Sequence, residues 1–251
     1  MKDNEHEQQN IRRFRELAER AAKTGSYTYT SFHSREGAAL AYRVAAERGV
    51  KLWGGAECCE RVVIRFGDPE EIGYEEPFPI RLMYAGATQP KFSEELGHRD
   101  FLGAIMNLGI ERDVTGDIFV CEGGAYFFIL EEMADYVRAN LERVRHTSVR
   151  CREAEEVPED CLPRLIEETV TVSSIRLDAI LARLCHLSRS EAKALFDSEK
   201  VSLNGRICSN PDTVPPDDSR LSVRGYGRFQ YLGEARATKK GKLAVTVQRY
   251  G

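Results

Sequence analysis

The stretch from Ile175 to Arg228 decides the fold that we predict for the C-terminal part of the chain. It reads IRLDAILARL (175–184), SRSEAKALF (188–196), KVSLNGRI (200–207) and RLSVRGYGR (220–228). Apolar residues recur at helical spacing in the first segment and predict a helix, which Ser173 or Ser174 can cap. In the second segment, Ser188 is followed three residues later by Glu191, which is the capping-box signature of a helix start.

The third and fourth segments predict strands. Val201 and Leu203 alternate with a polar residue, and Asn204-Gly205 follows them as the strongest short-range signal for a tight hairpin. Leu221 and Val223 alternate in the same way and lead into Arg224-Gly225-Tyr226-Gly227-Arg228. Two short helices and a hairpin therefore present one basic surface.

This surface has the composition of a phosphate-binding site. A helix N-terminus carries unpaired amide groups and the positive end of the helix dipole, so it attracts phosphate, and Arg189 and Lys193 strengthen that attraction here. Three lysines in the loop 238–242 either extend this surface or are simply solvated. The predicted RNA-binding residues are Arg176, Ser188, Arg189, Ser190, Lys193, Lys200, Asn204, Arg206, Arg224 and Arg228.

Charge is distributed unevenly along the 251 residues. Residues 174–251 hold 14 Lys and Arg against 8 Asp and Glu, whereas the preceding 173 residues hold 22 against 32. The overall formal charge of −4 therefore conceals a basic module on an acidic body. This split is typical of nucleic-acid binding that is confined to one end of a protein.

The motifs R-L-D-x-x-L, S-R-S-x-A-x-x-L, V-x-L-N-G and V-R-G-x-G-R, in this order, resemble the alpha-L RNA-binding domain of the ribosomal-protein-S-four type. Upstream, the run LGHRDFLGAIMNLGI (96–110) and Gly116-Asp117-Ile118 resemble the YlmH family of bacterial proteins. The second resemblance implies binding to the large ribosomal subunit carrying a stalled peptidyl-tRNA, in ribosome rescue and quality control.

The whole chain predicts an α+β fold of three small domains: an N-terminal α/β domain (1–75), a central ferredoxin-like or RRM-like domain (76–153) and the alpha-L domain (165–251). Acidic, proline-containing segments at 70–79 and 153–163 are interpreted as linkers. The central domain has the order βαββαβ. Its predicted strands are 80–85, 117–121, 125–130 and 144–151, and its predicted helices are 92–108 and 131–141. The N-terminal domain has predicted helices at 7–23 and 34–48 and predicted strands at 51–53 and 61–66.

Seven cysteines without a C-x-x-C pair indicate neither a zinc site nor a disulfide framework, so we expect reduced thiols. Cys58-Cys59 is either redox-active or buried and inert. His98-Arg99-Asp100 lacks the asparagine of a kinase catalytic loop, because Ile occupies position 105. It marks a helix start with a structural or an RNA-contacting role.

Two further motifs leave alternatives open. Tyr126, Phe127 and Phe128 can stack on bases if they are exposed on the sheet, or pack in the core. Arg176-Leu177-Asp178 is similar to a motif at pseudouridine synthase active sites. Here it lies in an apolar helix, so we expect Asp178 to be structural and to hold a nearby arginine.

We therefore predict a non-catalytic RNA-binding protein of the translation machinery, whose partners are structured rRNA or tRNA and the large ribosomal subunit. We expect a cytoplasmic monomer without cofactor or metal and without binding to DNA. We also expect no binding to membranes, since no apolar run reaches the length of a membrane span. The alternatives are an RNA-modifying enzyme of the pseudouridine synthase type that docks through the basic domain, and a protein–protein adaptor using the acidic N-terminal face.

Overall fold

A computed structural model describes residues 2–45, 49–89, 94–204, 206–238 and 241–250. Its internal contacts divide the chain into an N-terminal unit, Met1–Leu162, and a C-terminal unit, Pro163–Gly251. Both units combine helices with antiparallel sheets, so the predicted α+β class is confirmed. The division into three domains stays a prediction. Within the described ranges, no helix has the length and apolarity needed to cross a lipid bilayer.

The N-terminal unit begins with two helices packed on a small sheet. The helices are α1 (Lys2–Thr24) and α2 (Arg35–Ala45), and the strands are β1 (Thr28–Tyr29), β2 (His33–Ser34), β3 (Val50–Trp53) and β4 (Arg61–Phe66). The three other strands all pair with β4. The apolar stripe of α1 is buried against α2 and β4, which explains why this long polar helix folds here. Residues 46–48, the end of the predicted second helix, lie outside the described residues.

The predicted linker at 70–79 is instead attached to this first sheet. Its first residues belong to a short helix, α3 (Pro69–Ile72), which Asp68 caps by accepting from the amide of Glu70. The buried guanidinium of Arg65 donates to the carbonyl of Glu76 at 2.7 Å. Aromatic side chains of the segment pack edge-on against Tyr27 and Tyr29. These contacts hold the segment, although its composition alone predicts a loose linker.

The rest of the N-terminal unit has the predicted order βαββαβ with one additional strand. The strands are β5 (Ile80–Ala87), β6 (Thr115–Cys121), β7 (Gly124–Leu130), β8 (Arg143–Val144) and β9 (Thr147–Glu153), and the helices are α4 (His98–Met106) and α5 (Glu131–Asn140). The sheet order is β6-β7-β5-β9-β8. Both helices pack on one face, while part of the other face packs against the first sheet.

Two boundaries in this region differ from the prediction. The helix predicted from Phe92 begins at His98, because the carboxylate of Asp100 accepts from the amide of Gly97 and fixes the start there; residues 90–93 lie outside the described residues. The last predicted strand is a hairpin, β8–β9. Arg145 has a φ of 51° in the turn of this hairpin. Positive φ is uncommon for residues other than glycine, so the sequence did not indicate a turn here.

The prediction that all thiols are reduced is wrong for one pair. Cys121 in β6 and Cys161 form a disulfide with a Cα–Cα distance of 5.3 Å. Cys161 belongs to the predicted linker 153–163, which forms a 3-10 turn (Glu159–Cys161), and Val157 and Leu162 pack against the central sheet. Forty residues separate the two cysteines, so only the tertiary fold brings them together. Cys58, Cys59, Cys151, Cys185 and Cys208 form no disulfide.

The C-terminal unit is a six-stranded antiparallel sheet covered by two helices. Its strands are β10 (Leu165–Val172), β11 (Val201–Leu203), β12 (Arg206–Ile207), β13 (Ser219–Val223), β14 (Gly227–Ala237) and β15 (Leu243–Tyr250). The sheet order is β10-β15-β14-β13-β11-β12. The helices are α6 (Leu177–Leu184) and α7 (Arg189–Asp197), and their apolar stripes form one core with the sheet.

Candidate nucleic-acid interface

A buried carboxylate organises the start of both helices in the C-terminal unit. Asp178, in the first turn of α6, is fully buried. It accepts from Arg176 at 3.3 and 3.4 Å and from Arg189 at 3.2 Å. Arg176 also pairs with Asp212. The expected structural role of Asp178 is confirmed, because this one anion fixes two of the predicted RNA-binding arginines.

The start of α6 differs from the prediction. Its cap is the backbone of Arg176, without a side-chain hydrogen bond, and neither Ser173 nor Ser174 caps it. The amides of Leu177 and Asp178 donate to the carbonyls of Thr213 and Pro211 at 2.9 and 3.0 Å. Backbone carbonyls of the loop 211–213 therefore accept hydrogen bonds from the first amides of α6, which is the role that the side chain of a capping serine has in other helices.

The capping box at the start of α7 is present as predicted. The hydroxyl of Ser188 accepts from the amide of Glu191, and the carboxylate of Glu191 accepts from both the amide and the hydroxyl of Ser188. These hydrogen bonds lower the pKa of Glu191. The N-terminus of α7 thus already carries an anion, so phosphate binding there depends on the side chains of Arg189, Ser190 and Lys193 more than on the helix dipole.

The exposed cations form two groups joined by α7. Arg176 and Arg189 lie at its start, and Lys193 follows Arg189 by one turn. Lys200 and Arg224 lie at its other end, where the carbonyl of Lys200 accepts from the amide of Arg224 at 2.9 Å. The nine residues of α7 span about 13 Å at the rise of an α-helix, so the cations extend over at least this length.

The hairpin residues have different roles. Asn204 has a φ of 46°, and Leu203 pairs with Arg206 across the predicted two-residue turn. The side-chain oxygen of Asn204 accepts from the amide of Arg220 at 2.9 Å, so this residue fixes the hairpin to β13. The backbone of Arg206 lies in β12, while its side chain, Gly205, Lys239 and Lys240 lie outside the described residues.

Tyr226 is a candidate contact that the sequence reasoning missed. It lies at the tip of the β13–β14 hairpin between Arg224 and Arg228, and 41% of it is exposed. Arg228 lies opposite Ser222 in the hairpin, and its guanidinium is 5.8 Å from the ring of Tyr250. The signal was the pattern R-G-Y-G-R, in which glycines at a hairpin tip present an aromatic residue beside two cations.

In the N-terminal unit, most of the chemical motifs have structural roles. Asp117 accepts from the amides of Glu60 and Arg61, both at 2.8 Å, and so joins the two sheets of this unit. Burial raises its pKa. Asp100 caps α4, as described, and burial and the nearby Arg112 lower the pKa of His98.

Cys59 is buried, and the hydrogen bond with Cys58 together with burial raises its pKa, which favours an inert thiol over a redox-active one. Phe127 and Phe128 are core residues, whereas Tyr126 is half-buried on the sheet face opposite Phe127.

Comparisons with known proteins agree with the resemblance seen in the sequence. Residues 74–157 match the model of a domain family described as "Putative RNA-binding domain in YlmH". Ribosome-associated protein quality control protein P2 of Bacillus subtilis (strain 168) is 32% identical over 211 residues, which cover 81% of this chain and 79% of that protein. The solved structure of the cell division protein ylmH from Streptococcus pneumoniae has a TM-score of 0.48 and 24% identity, and covers 60% of this chain and 92% of that one. On the identity and coverage of the Bacillus relative, the chain belongs to the YlmH family.

Proposed function

We propose that this protein is a non-catalytic RNA-binding protein of the translation machinery, which binds rRNA or tRNA on the large ribosomal subunit and acts on stalled ribosomes. The observation that carries the proposal is the set of cations along α7, with Arg176 and Arg189 held by Asp178 at its start and Lys200 and Arg224 at its end. Family membership supports it, because the Bacillus relative is named for ribosome-associated quality control and the matching domain family for RNA binding.

The chemistry of this surface favours folded RNA. Guanidinium groups bind phosphate through two parallel hydrogen bonds, and Arg176 and Arg189 are fixed at the starts of α6 and α7 by Asp178. Phosphate contacts position an RNA without reading its sequence, so the surface selects the shape of a folded RNA. Tyr226, beside Arg224 and Arg228, offers a ring on which an unpaired base can stack.

The absence of catalysis is part of the proposal. Asp178, the residue that makes the R-L-D motif similar to a pseudouridine synthase site, is fully buried and bound to two arginines, so it is poorly placed to act on a base. The proposal also includes a cytoplasmic location, a monomeric protein, no cofactor and no role for DNA, since ribosomal RNA is the ligand.

Co-sedimentation with ribosomal subunits across a salt series tests the proposal. Two double variants are compared with the wild type: Arg189→Ala with Lys193→Ala, and Lys193→Ala with Arg224→Ala, which leaves both partners of Asp178 in place. We expect both to bind the large subunit more weakly and to lower the salt dependence by about one unit of log–log slope per cation removed.

The matched control is Arg12→Ala with Arg13→Ala, which removes two exposed cations from α1. It should bind like the wild type. The proposal fails if the wild type does not sediment with large subunits, including subunits that carry peptidyl-tRNA. It also fails if all three double variants bind equally well.

A further inference from the structure

Two tyrosines lie side by side on the central sheet, on the face that α4 and α5 do not cover. Tyr84 in β5 and Tyr126 in β7 are directly opposite each other in the strand register, with ring centroids 4.6 Å apart and a tilt of 41°. Both are half-buried, whereas the neighbouring Met83 and Phe127 point into the core and are fully buried. Both rings thus stay partly accessible on this face, and Tyr126 also packs against the apolar cluster between the two sheets of this unit.

Two glycines make room for the ring of Tyr84. Gly86 and Gly124 pair with each other one step along the same two strands. A Cβ atom on Gly86 lies only 2.5 Å from Cε1 of Tyr84, and one on Gly124 lies 2.9 Å from its hydroxyl oxygen. A side chain at either position would collide with the ring, so the two glycines allow the ring of Tyr84 to lie close to the backbone of the sheet.

Four arginines lie at the adjacent edge of this sheet. Arg152 pairs with Tyr84 in the register, and its guanidinium carbon lies 5.0 Å from the centroid of that ring. Arg150 leaves β9 on the same side, because the buried Val149 and Cys151 alternate with it on the other side. Arg138 from α5 and Arg143 from β8 complete the lining of a depression of about 890 Å³.

The charge of this depression contrasts with its surroundings. Residues 1–173 carry a net charge of −10, yet the described residues that line this concavity include four arginines and a single carboxylate, Glu142. Arg138 also pairs with Asp135 at 2.7 Å, which positions its guanidinium without burying it. The hydroxyls of Thr88 and Ser148 add hydrogen-bonding groups at the rim.

We propose that this face of the central sheet, together with its adjacent edge at β8 and β9, is a second RNA site, which binds a single-stranded segment with one base stacked beside Tyr84 and Arg152 and with phosphates held by Arg143 and Arg150. Sequence-tolerant single-strand binding combines aromatic platforms with a cationic track in this way. A duplex keeps its bases stacked on each other, so only an unpaired segment can offer a base to the ring.

The proposal rests on the proposed function in that RNA is the ligand, but it uses none of the cations of α7. The residues lie within the range 74–157 that matches the YlmH RNA-binding domain family. A competing account is that Arg150 and Arg152 only protect the outer edge of β9 against pairing with other strands. The two accounts differ in the role of Tyr84, because protecting the edge of β9 does not require an aromatic ring, whereas stacking on a base does.

Fluorescence anisotropy with the full-length protein tests the site, using a labelled single-stranded RNA of about 12 nucleotides of mixed sequence and the matching blunt duplex. Tyr84→Leu keeps an apolar side chain over the glycines but removes the ring, and Tyr84→Phe keeps the ring. Arg152→Lys keeps the charge but removes the planar group. We expect Tyr84→Leu to weaken single-strand binding by about 10-fold, Arg152→Lys by about 5-fold, and Tyr84→Phe by less than about 2-fold.

Duplex binding by these variants should stay within about 2-fold of the wild type, and ultraviolet crosslinking should attach the single strand to a peptide containing Tyr84. Equal losses for Tyr84→Leu and Tyr84→Phe, or equal losses on duplex and single strand, overturn the proposal. If only the Lys193→Ala with Arg224→Ala variant loses RNA binding, this site is absent and the proposed function stands. If neither set of variants changes RNA binding, both proposals fail.

Discussion

Asp178 and Arg189 are joined between α6 and α7 by a hydrogen bond of 3.2 Å from the half-exposed guanidinium to the fully buried carboxylate. Arg176 reaches the same carboxylate from the other side. A carboxylate that is fully buried is stable as an ion only when it is paired and hydrogen-bonded. The arrangement of the proposed RNA-binding surface therefore depends on a buried core residue.

Replacing this core carboxylate should destabilise the C-terminal unit. We expect Asp178→Asn to lower the free energy of unfolding by about 1–3 kcal/mol, because the three hydrogen bonds from the two arginines lose the negative charge of their acceptor while both arginines stay partly solvated. Urea unfolding measures the change. Asp197→Asn, an exposed position at the end of α7, is the control and should stay within about 0.5 kcal/mol of the wild type. Equal stability of the two variants contradicts the structural role of Asp178.

Two glycine-to-alanine substitutions should change stability in opposite directions. Gly124→Ala places a Cβ atom 2.5 Å from the carbonyl oxygen of Ala85, which backbone pairing holds in place, so we expect a loss of about 1–3 kcal/mol. Gly103→Ala lies inside α4, and beyond the adjoining backbone of the helix no atom lies within 4 Å of the new Cβ, so we expect a gain of about 0.5–1 kcal/mol. Thermal unfolding shows whether each variant gains or loses stability. A loss of stability in Gly103→Ala argues against this packing of α4.

The N-terminal unit should lose stability in mild acid. Burial and the nearby Arg61 lower the pKa of His33, and burial and Arg112 lower that of His98, both from 6.5. Below that value the unfolded chain binds protons that the folded chain does not, so the free energy of unfolding falls as the pH falls. Unfolding measured from about pH 7.5 to about pH 5 should show this slope, and His33→Gln should reduce it. If the dependence of the free energy of unfolding on pH is the same in His33→Gln as in the wild type, His33 does not contribute to the loss of stability in acid.

The disulfide should stabilise the N-terminal unit by closing a 40-residue separation in the unfolded chain. We expect Cys161→Ser to lower the free energy of unfolding by about 2–4 kcal/mol in the absence of reductant. Adding a dithiol reductant should bring the wild type to the level of the variant and leave the variant unchanged. Cys208→Ser, at a thiol outside the disulfide, is the control. If the reductant also lowers the free energy of unfolding of Cys161→Ser, the disulfide is not the source of the change that the reductant causes in the wild type.

Tyr226 should affect RNA binding without affecting stability. Because its side chain is largely exposed, Tyr226→Ala should change the free energy of unfolding by less than about 0.5 kcal/mol. Loss of one stacked base should weaken binding to the large subunit by about 1–3 kcal/mol. Co-sedimentation measures the second quantity, with Tyr42→Ala, an equally exposed position on α2, as the control. Equal binding by both variants excludes Tyr226 from the interface.

Local chemistry explains which parts of the fold were predictable. The capping box of Ser188 and Glu191 and the Asn204-Gly205 turn involve residues next to each other in the chain, so their geometry follows from residue type alone. The helix start marked by His98-Arg99-Asp100 is local in the same way, because Asp100 accepts from the amide of Gly97 three residues before it. The hairpin at Arg145 depends on an uncommon backbone angle and the pairing of Cys121 with Cys161 on the tertiary fold, and short-range patterns encode neither.

The same distinction applies to the candidate sites. Arg189, Lys193 and Lys200 are close to one another in the chain, and Arg176 and Arg224 belong to motifs of their own, so sequence motifs are enough to locate them. The arginine-lined depression is assembled from α5, β8 and β9, and Tyr84 meets Tyr126 only through the pairing of β5 with β7. No short window of sequence contains both tyrosines and these arginines, so only the fold makes them neighbours.

The carboxylate of Glu191 at the start of α7 has a consequence for selectivity. A small anion such as inorganic phosphate or a mononucleotide meets a resident negative charge at the helix terminus, and it is too short to reach the cations at the far end of the helix. If RNA binds as proposed, a long polyanion can contact Lys193, Lys200 and Arg224 together without displacing that carboxylate. We therefore expect free nucleotides to be poor competitors for this surface and the length of the ligand to determine binding.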